Sequence, residues 1–217
     1  FSALQSCVTN CPIQLLPIIL NQILEILQKA LEAHSDFWII NQLCYVLQSE
    51  FIRLKGQIDE KTVQISWVIL EGIFTSYPDE AISLLIPLAT LARASGPLFQ
   101  QYLNTTAEFI SNGLKEERDD AIQSASLGVL LLSDSFDLSP FSVGFLGLLT
   151  AALSNPEVSL QSKSKAVNTI TELAMKTPEP FVQVAGDVMK PIVEICSNDL
   201  SDVAFISDDQ LDDETET

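Results

Sequence analysis

The sequence predicts an all-α fold, a right-handed solenoid of antiparallel helix pairs, on three observations. Three stretches say nearly the same thing: residues 97–112 (PLFQQYLNTTAEFISN), 140–155 (PFSVGFLGLLTAALSN) and 180–198 (PFVQVAGDVMKPIVEICSN) each open on Pro with an early Phe and close on Ser-Asn. Their closing residues, Asn112, Asn155 and Asn198, lie 43 residues apart, twice over. The segments between them carry apolar residues at three- and four-residue steps, the spacing of an amphipathic helix. A unit of this size cannot bury its apolar face alone and stacks on its neighbours.

In chain order, residues 2–9 read as the tail of a first helix broken before Pro12. Leu15, Ile19, Ile23, Leu24, Leu27 and Leu31 place a long helix over 15–33, with Pro17 in its first turns, where a missing N–H costs least. Ser35-Asp36 is a cap signal for a helix over 37–55 with the stripe Leu43, Val46, Leu47, Phe51 and Leu54, and Gly56 ends it. Asp59 opens a helix carrying Val63, Ile65, Val68, Ile69, Ile73 and Phe74, and Pro78-Asp79 breaks it.

The helix over 79–94 is apolar on two adjacent faces at 100° per residue: Ile82, Leu85, Ala89 and Ala92 on one, Leu84, Leu88 and Leu91 on the other. Ser83, Pro87, Thr90 and Arg93 fill the remaining arc, and Pro87 is expected to kink the helix. Ser95-Gly96-Pro97 turns into a helix over 97–114, the second of its pair, and EERDD at 116–120 links to the next repeat. The helix over 120–133 again has two faces, Ile122, Ala125, Val129 and Leu132 beside Leu127, Leu130 and Leu131. After the second block, a helix over 162–176 turns Ala166, Ile170, Leu173 and Ala174 inward, and the third block follows, interrupted at Pro191. Pairs of this length repeating in the forties are of the HEAT and armadillo kind. Residues 1–197 thus read as a fragment of a longer solenoid, about four full repeats plus a truncated first one. Residues 198–217 read as an acidic tail, disordered or, from the S-x-x-Q box at Ser207 and Gln210, the start of a missing repeat.

The net charge of −18 is unevenly spread: the last 20 residues hold eight acids and no base, leaving 21 acids against 11 bases before them. Such a surface repels phosphate backbones and anionic lipid, so direct nucleic-acid binding is not expected, and it favours basic protein partners. No uninterrupted apolar run reaches the roughly 18–20 residues of a membrane span, so no membrane insertion is expected. Residues 143–153 come nearest and are broken by Gly144, Gly147 and Thr150. Cys7, Cys11, Cys44 and Cys196 lack framework spacing and read as reduced thiols.

No catalytic residue, metal site or cofactor is expected. His34 is the sole histidine, at a helix C-terminus where the dipole favours it. Cys7 and Cys11 would share a helical face only if the helix passed Asn10 and Pro12. Gly144 and Gly147 follow no strand and read as close-packing positions, the Asn104-Thr105-Thr106 acceptor lies within a helix, and Asp119-Asp120 reads as a capped helix start.

Residues 42–197 resemble the later HEAT repeats of the importin beta (karyopherin beta) family. The resemblance is carried in order by QLCYVLQSEFIRLKGQIDEKTVQIS, DEAISLLIPLATLARASGPLFQQYLNTTAEFISNGLK and AIQSASLGVLLLSDSF. One departure is that Leu132 stands where HEAT repeats commonly place an inter-helix Asp, so that turn is expected to be less well defined. The resemblance implies a non-enzymatic nuclear-import receptor, working in cytoplasm, nucleus and nuclear pore, whose second helices line a concave surface for importin alpha or basic cargo segments and the small GTPase Ran. Glu108, Asn112, Asp187 and Glu194 are then the concave candidates. It also implies outer grooves between first helices that bind Phe-Gly nucleoporins, with Leu84, Leu88, Leu91, Leu127, Leu130 and Leu131 as the candidate lining. The alternative is a HEAT scaffold of another class, such as a phosphatase regulatory subunit or trafficking adaptor.

Overall fold

Helix starts lie where a side chain can replace the backbone bonds that a first turn lacks. In the computed structural model, which describes residues 2–204, Asp36 accepts from Trp38 N at 2.8 Å to open α3 (Phe37–Arg53). Asp59 accepts from Thr62 N at 2.7 Å to open α4 (Glu60–Ser76). Ser159 caps α9 (Leu160–Lys176) through Ser162 N. Ahead of these lie α1 (Ser2–Asn10) and α2 (Leu16–Glu32), the latter with Pro17 in its first turn. The others are α5 (Leu85–Ser95), α6 (Leu103–Lys115), α7 (Asp119–Ser133), α8 (Ser139–Ser154) and α10 (Pro178–Ala204).

The helices form two layers. Each of α1, α3, α5, α7 and α9 packs on the next member of that series, and α2 on α4, α6 on α8 and α8 on α10 make the second layer. α4 joins α6 through the stacked rings of Phe74 and Phe109, 4.5 Å apart. One core runs unbroken from Val8 to Val188. All regular elements among the described residues are helical, and the chain is an all-α solenoid of paired helices.

The recurrent Pro-Phe blocks have a packing cause. Phe99 is fully buried and meets Trp67 edge-on at 5.6 Å and Tyr102 at 5.4 Å, while Trp67 stacks on Tyr102 at 4.8 Å. Phe99 and Tyr102 share a face because this stretch, Gly96–Tyr102, is a 3-10 helix with three residues per turn. The α-helix expected from residue 97 therefore begins only at Leu103.

The prolines behave differently from the sequence expectation. Pro87 does not kink α5: a 3-10 turn at Ala81–Leu84 precedes it, and Pro87 falls at the third position of the helix, where its missing N–H has no intrahelical partner to lose. Pro191 does not interrupt the third block either, since α10 continues through it to Ala204, held against α8 and α9. That helix also passes the boundary expected at 198, and the Ser207–Gln210 box lies outside the described residues.

Ala81–Lys115, taken as one helical stretch, is apolar enough to cross a membrane by length and composition, with a mean hydropathy of 1.4 over its most apolar window. This departs from the expectation that no stretch qualifies, but 67% of that window is buried within the fold. The stretch also folds back on itself: Gly96, at φ 54°, turns the chain, and Gly113 near the end of α6 then lies against Leu85 at the start of α5. A Cβ at Gly113 would sit 2.8 Å from Leu85 Cδ1 and 3.2 Å from Ala125 Cβ. Gly128 packs similarly on Ile110, whereas Gly144 and Gly147 face open space and are not close-packing positions.

His34 adopts a left-handed conformation, φ 49°, and ends α2 with Ser35 N donating to Ala30 O at 2.9 Å and His34 N to Leu31 O at 3.1 Å. This is a helix stop of the kind glycine usually provides.

Glu50, on α3, is fully buried, and neither carboxylate oxygen has a hydrogen-bond partner among the described residues. Burial pushes its carboxyl up to about 8, against a smaller opposing pull from Arg53. Because the folded state holds this proton more tightly than the unfolded chain, the associated stability is complete below about pH 4.5 and is lost as pH rises through about 8.

Two outcomes are expected. Gly113→Ala lowers unfolding free energy by about 1–3 kcal/mol, because fully buried Leu85 has nowhere to retreat; a chemical denaturation curve measures it. Glu50→Gln flattens the decline of the melting temperature between pH 5 and 8.5, gaining on the order of a few kcal/mol at the alkaline end and little at the acid end.

Candidate functional site

In the first-helix layer, the valley between successive helices is lined by residues left over once each helix has filled its core positions. Between α3, α5 and α7 it forms a groove of about 250 Å³ lined by Phe51, Ile52, Ile86, Ala94, Leu127 and Leu131, with Gln48, Lys55, Thr90 and Arg93 also on its walls. Ile52 is 60% exposed and Leu127 39%. Such a volume is small against the roughly 300–1,000 Å³ of small-molecule sites; it takes one or two side chains. A second groove, between α7 and α9, shares Ile86 and Leu127 as one wall and adds Leu130 beside Gln123, Ser124, Gln161, Lys165 and Asn168.

The six leucines read from the sequence divide here. Leu127, Leu130 and Leu131 lie on groove walls. Leu84, Leu88 and Leu91 do not: each is fully buried in the inter-repeat core, because α5 is enclosed by α3, α4, α6 and α7. The side of α5 that meets the groove is the arc taken as polar, Thr90 and Arg93, with Ile86 among them. Ile86 and Ile52 were missed. The signal available was an apolar residue out of phase with its helix's own stripe.

At one end of the groove, Asp134, just past α7, lies 3.4 Å from Arg93 Nη2 and 2.8 Å from Lys176 Nζ. The hydrogen bond from Lys176, then the charges of Lys176, Arg93 and Lys55, hold its carboxyl below the usual range against a smaller desolvation effect. This carboxylate joins the helix ends of three successive repeats. The turn that follows is well defined, with Ser135 N and Phe136 N both donating to Leu132 O and Asp137 accepting from Ser139 N at 2.9 Å. Leu132 itself is buried. The missing Asp thus leaves no loose turn.

In the second layer, Glu108 and Asn112 are exposed on α6 and Asp187 and Glu194 on α10, with α8 packed between those helices. The structure does not gather the four at one point. Asn112 lines a cleft with Phe74, Ile82 and Phe109. Further toward the N-terminus, α2 and α4 enclose two adjoining clefts that share Gln28 and Ile65, with Glu25, Glu32 and Asp59 on their walls beside Leu24, Leu31 and Val68.

The family model described as importin subunit beta-1-like, TPR repeats, matches residues 1–207. The chain belongs to this family. No curated protein matches it. The name of the family model gives the repeats as TPR, whose period is 34 residues; the 43-residue spacing of the importin beta-type blocks here is that of HEAT pairs. In this importin beta-1-like chain the expected difference between buried and groove leucines is measurable. Leu88→Ala costs about 2–5 kcal/mol of unfolding free energy, whereas Leu127→Ala costs roughly 1 kcal/mol or less; comparable losses in urea denaturation would refute the assignment of faces.

Proposed function

We propose that this importin beta-1-like segment is part of a nuclear-import receptor that works by binding and release, without catalysis. The observation that carries the reading is the apolar valley of the first-helix layer, where Ile52, Ile86, Leu127 and Leu131 offer contact surface that no helix among the described residues covers. Exposed apolar patches framed by polar residues mark protein-binding sites. In an importin beta-type receptor the matching occupant is a Phe-Gly nucleoporin segment, whose ring would enter between Ile86 and Leu127. The family's other partners, importin alpha or basic cargo segments and Ran, are assigned to the second-helix layer. There the carboxylates of Glu25, Glu32 and Asp59 adjoin apolar surface, and Glu108, Asn112, Asp187 and Glu194 stand exposed further along. Such a protein acts in cytoplasm and nucleus and at the pore.

A Phe-Gly repeat peptide titrated against the chain tests this. Saturable binding is expected, weakened about fivefold to tenfold by Ile86→Ser or Leu127→Ser, which remove most of one buried side-chain contact. Binding unchanged in both folded variants, or no binding to the parent chain, rules out the outer groove.

A further inference from the structure

We infer that the outer groove reads charge as well as shape: its occupant is a peptide whose aromatic side chain is flanked, one or two residues away, by an Asp or Glu. The inference rests on the Phe-Gly reading above and adds the chemistry of the flanking residue.

The chain holds 11 basic residues against 29 acids, yet the groove between α3, α5 and α7 has Lys55 and Arg93 on its walls and no carboxylate among its lining residues. The four other clefts described along the chain each carry at least one carboxylate: Asp120, Glu32, Asp79 with Glu116, and Glu25 with Asp59. Three of those four also hold a lysine, Lys165, Lys115 or Lys61, so what sets this valley apart is cations without a carboxylate on its walls, and that balance favours an acidic segment.

Of these two cations, Lys55 is not consumed by the fold and Arg93 is only partly so. Arg53, in the last turn of α3, is committed to the carbonyls of Val8 and Cys11, the latter at 2.6 Å. Lys55 lies beyond that turn and makes no hydrogen bond or ion pair among the described residues. Gly56 N, next to it, donates to Ala94 O at 2.9 Å, which fixes this corner beside the end of α5 and hence beside Arg93. Arg93 reaches Asp134 through Nη2 at 3.4 Å, while its buried Nε has no hydrogen-bond partner among the described residues. Asp134 is drawn more closely to Lys176 at 2.8 Å, so one carboxylate is shared between Lys176, which also has Glu172 at 3.8 Å, and Arg93, with Lys55 acting on it from further off. A carboxylate brought in by the ligand completes this set while its neighbouring ring fills the space between Ile86 and Leu127.

The test is a titration of the whole chain with three peptides that share one Phe-Gly core and differ only in a flanking Ser, Asp or Lys. At low ionic strength the Asp peptide is expected to bind about twofold to fivefold more tightly than the Ser peptide, and the Lys peptide more weakly than both. The differences should collapse near 0.5 M salt, where the screening length is roughly 4 Å. Lys55→Gln and, separately, Arg93→Gln should narrow the Asp-to-Ser gap, while Lys190→Gln on α10 leaves it unchanged; thermal melts verify that each variant is folded. Equal binding of the Asp and Ser peptides overturns this inference and leaves the Phe-Gly reading standing. A gap that persists in both groove variants overturns it as well, because the attraction then comes from elsewhere. Failure of all three peptides to bind overturns both.

Discussion

Every helix pair in this chain depends on the pair before it and the pair after it for burial of its apolar surface. The polar contacts obey the same constraint. Tyr77 Oη donates to Ser35 O, 42 residues back, Ser162 Oγ to Asp119 O and Thr169 Oγ1 to Ser126 O, both 43 back. Lys176 Nζ reaches Ser133 Oγ at the same 43-residue interval. These bonds repeat the period written in the three asparagines, and each ties a residue to its counterpart one unit earlier. A stack held by such nearest-neighbour links has no long-range staple: its cohesion is a sum of local interfaces. Shape change can therefore be distributed as small adjustments at each interface.

The same constraint creates the valleys. Helices laid side by side leave a furrow between them, and its floor is built from the residues not needed at the interface. For folding alone those positions gain nothing from being apolar. Burying a Leu or Ile is worth about 1.5–3 kcal/mol, which Ile52, 60% exposed, largely forgoes. Leu84, Leu88 and Leu91 have a complete structural explanation in the core. Ile52, Ile86 and Leu127 do not, and that asymmetry singles them out.

Architecture was legible in the sequence because it is written in spacing. The 43-residue interval fixed the unit, stripes at three- and four-residue steps gave the helices, and Asp36 and Asp59 marked starts that the side-chain caps reproduce, while the cap at Ser159 starts α9 two residues ahead of the expected 162. The site was less legible, because an angular reading gives the direction of a side chain and not what stands there. The reading of 79–94 also assumed one helical pitch, whereas Ala81–Leu84 is a 3-10 turn that advances about 120° per residue instead of 100°. Neighbours decide the glycines too: Gly113 and Gly128 meet other helices, while Gly144 and Gly147, equally central in their helix, meet nothing. Neither Glu50's burial nor the position of Asp134 between two cations follows from any local pattern.

On the proposed reading, the dimensions of the outer grooves set the character of binding. A cleft of about 250 Å³ that admits one aromatic side chain gains roughly 2–3 kcal/mol from its burial, less than is needed for even millimolar affinity once the cost of association is included. Useful affinity then comes from number. The α3–α5–α7 and α5–α7–α9 valleys share the Ile86 and Leu127 wall, so a chain occupying one holds its next aromatic residue close to the other. A short flexible link raises the effective concentration at the second site to the millimolar range, making the two contacts jointly stronger than either while each still breaks quickly. Weak and adjacent contacts allow a partner to be exchanged groove by groove, without the simultaneous loss of all contacts that a single deep pocket would demand.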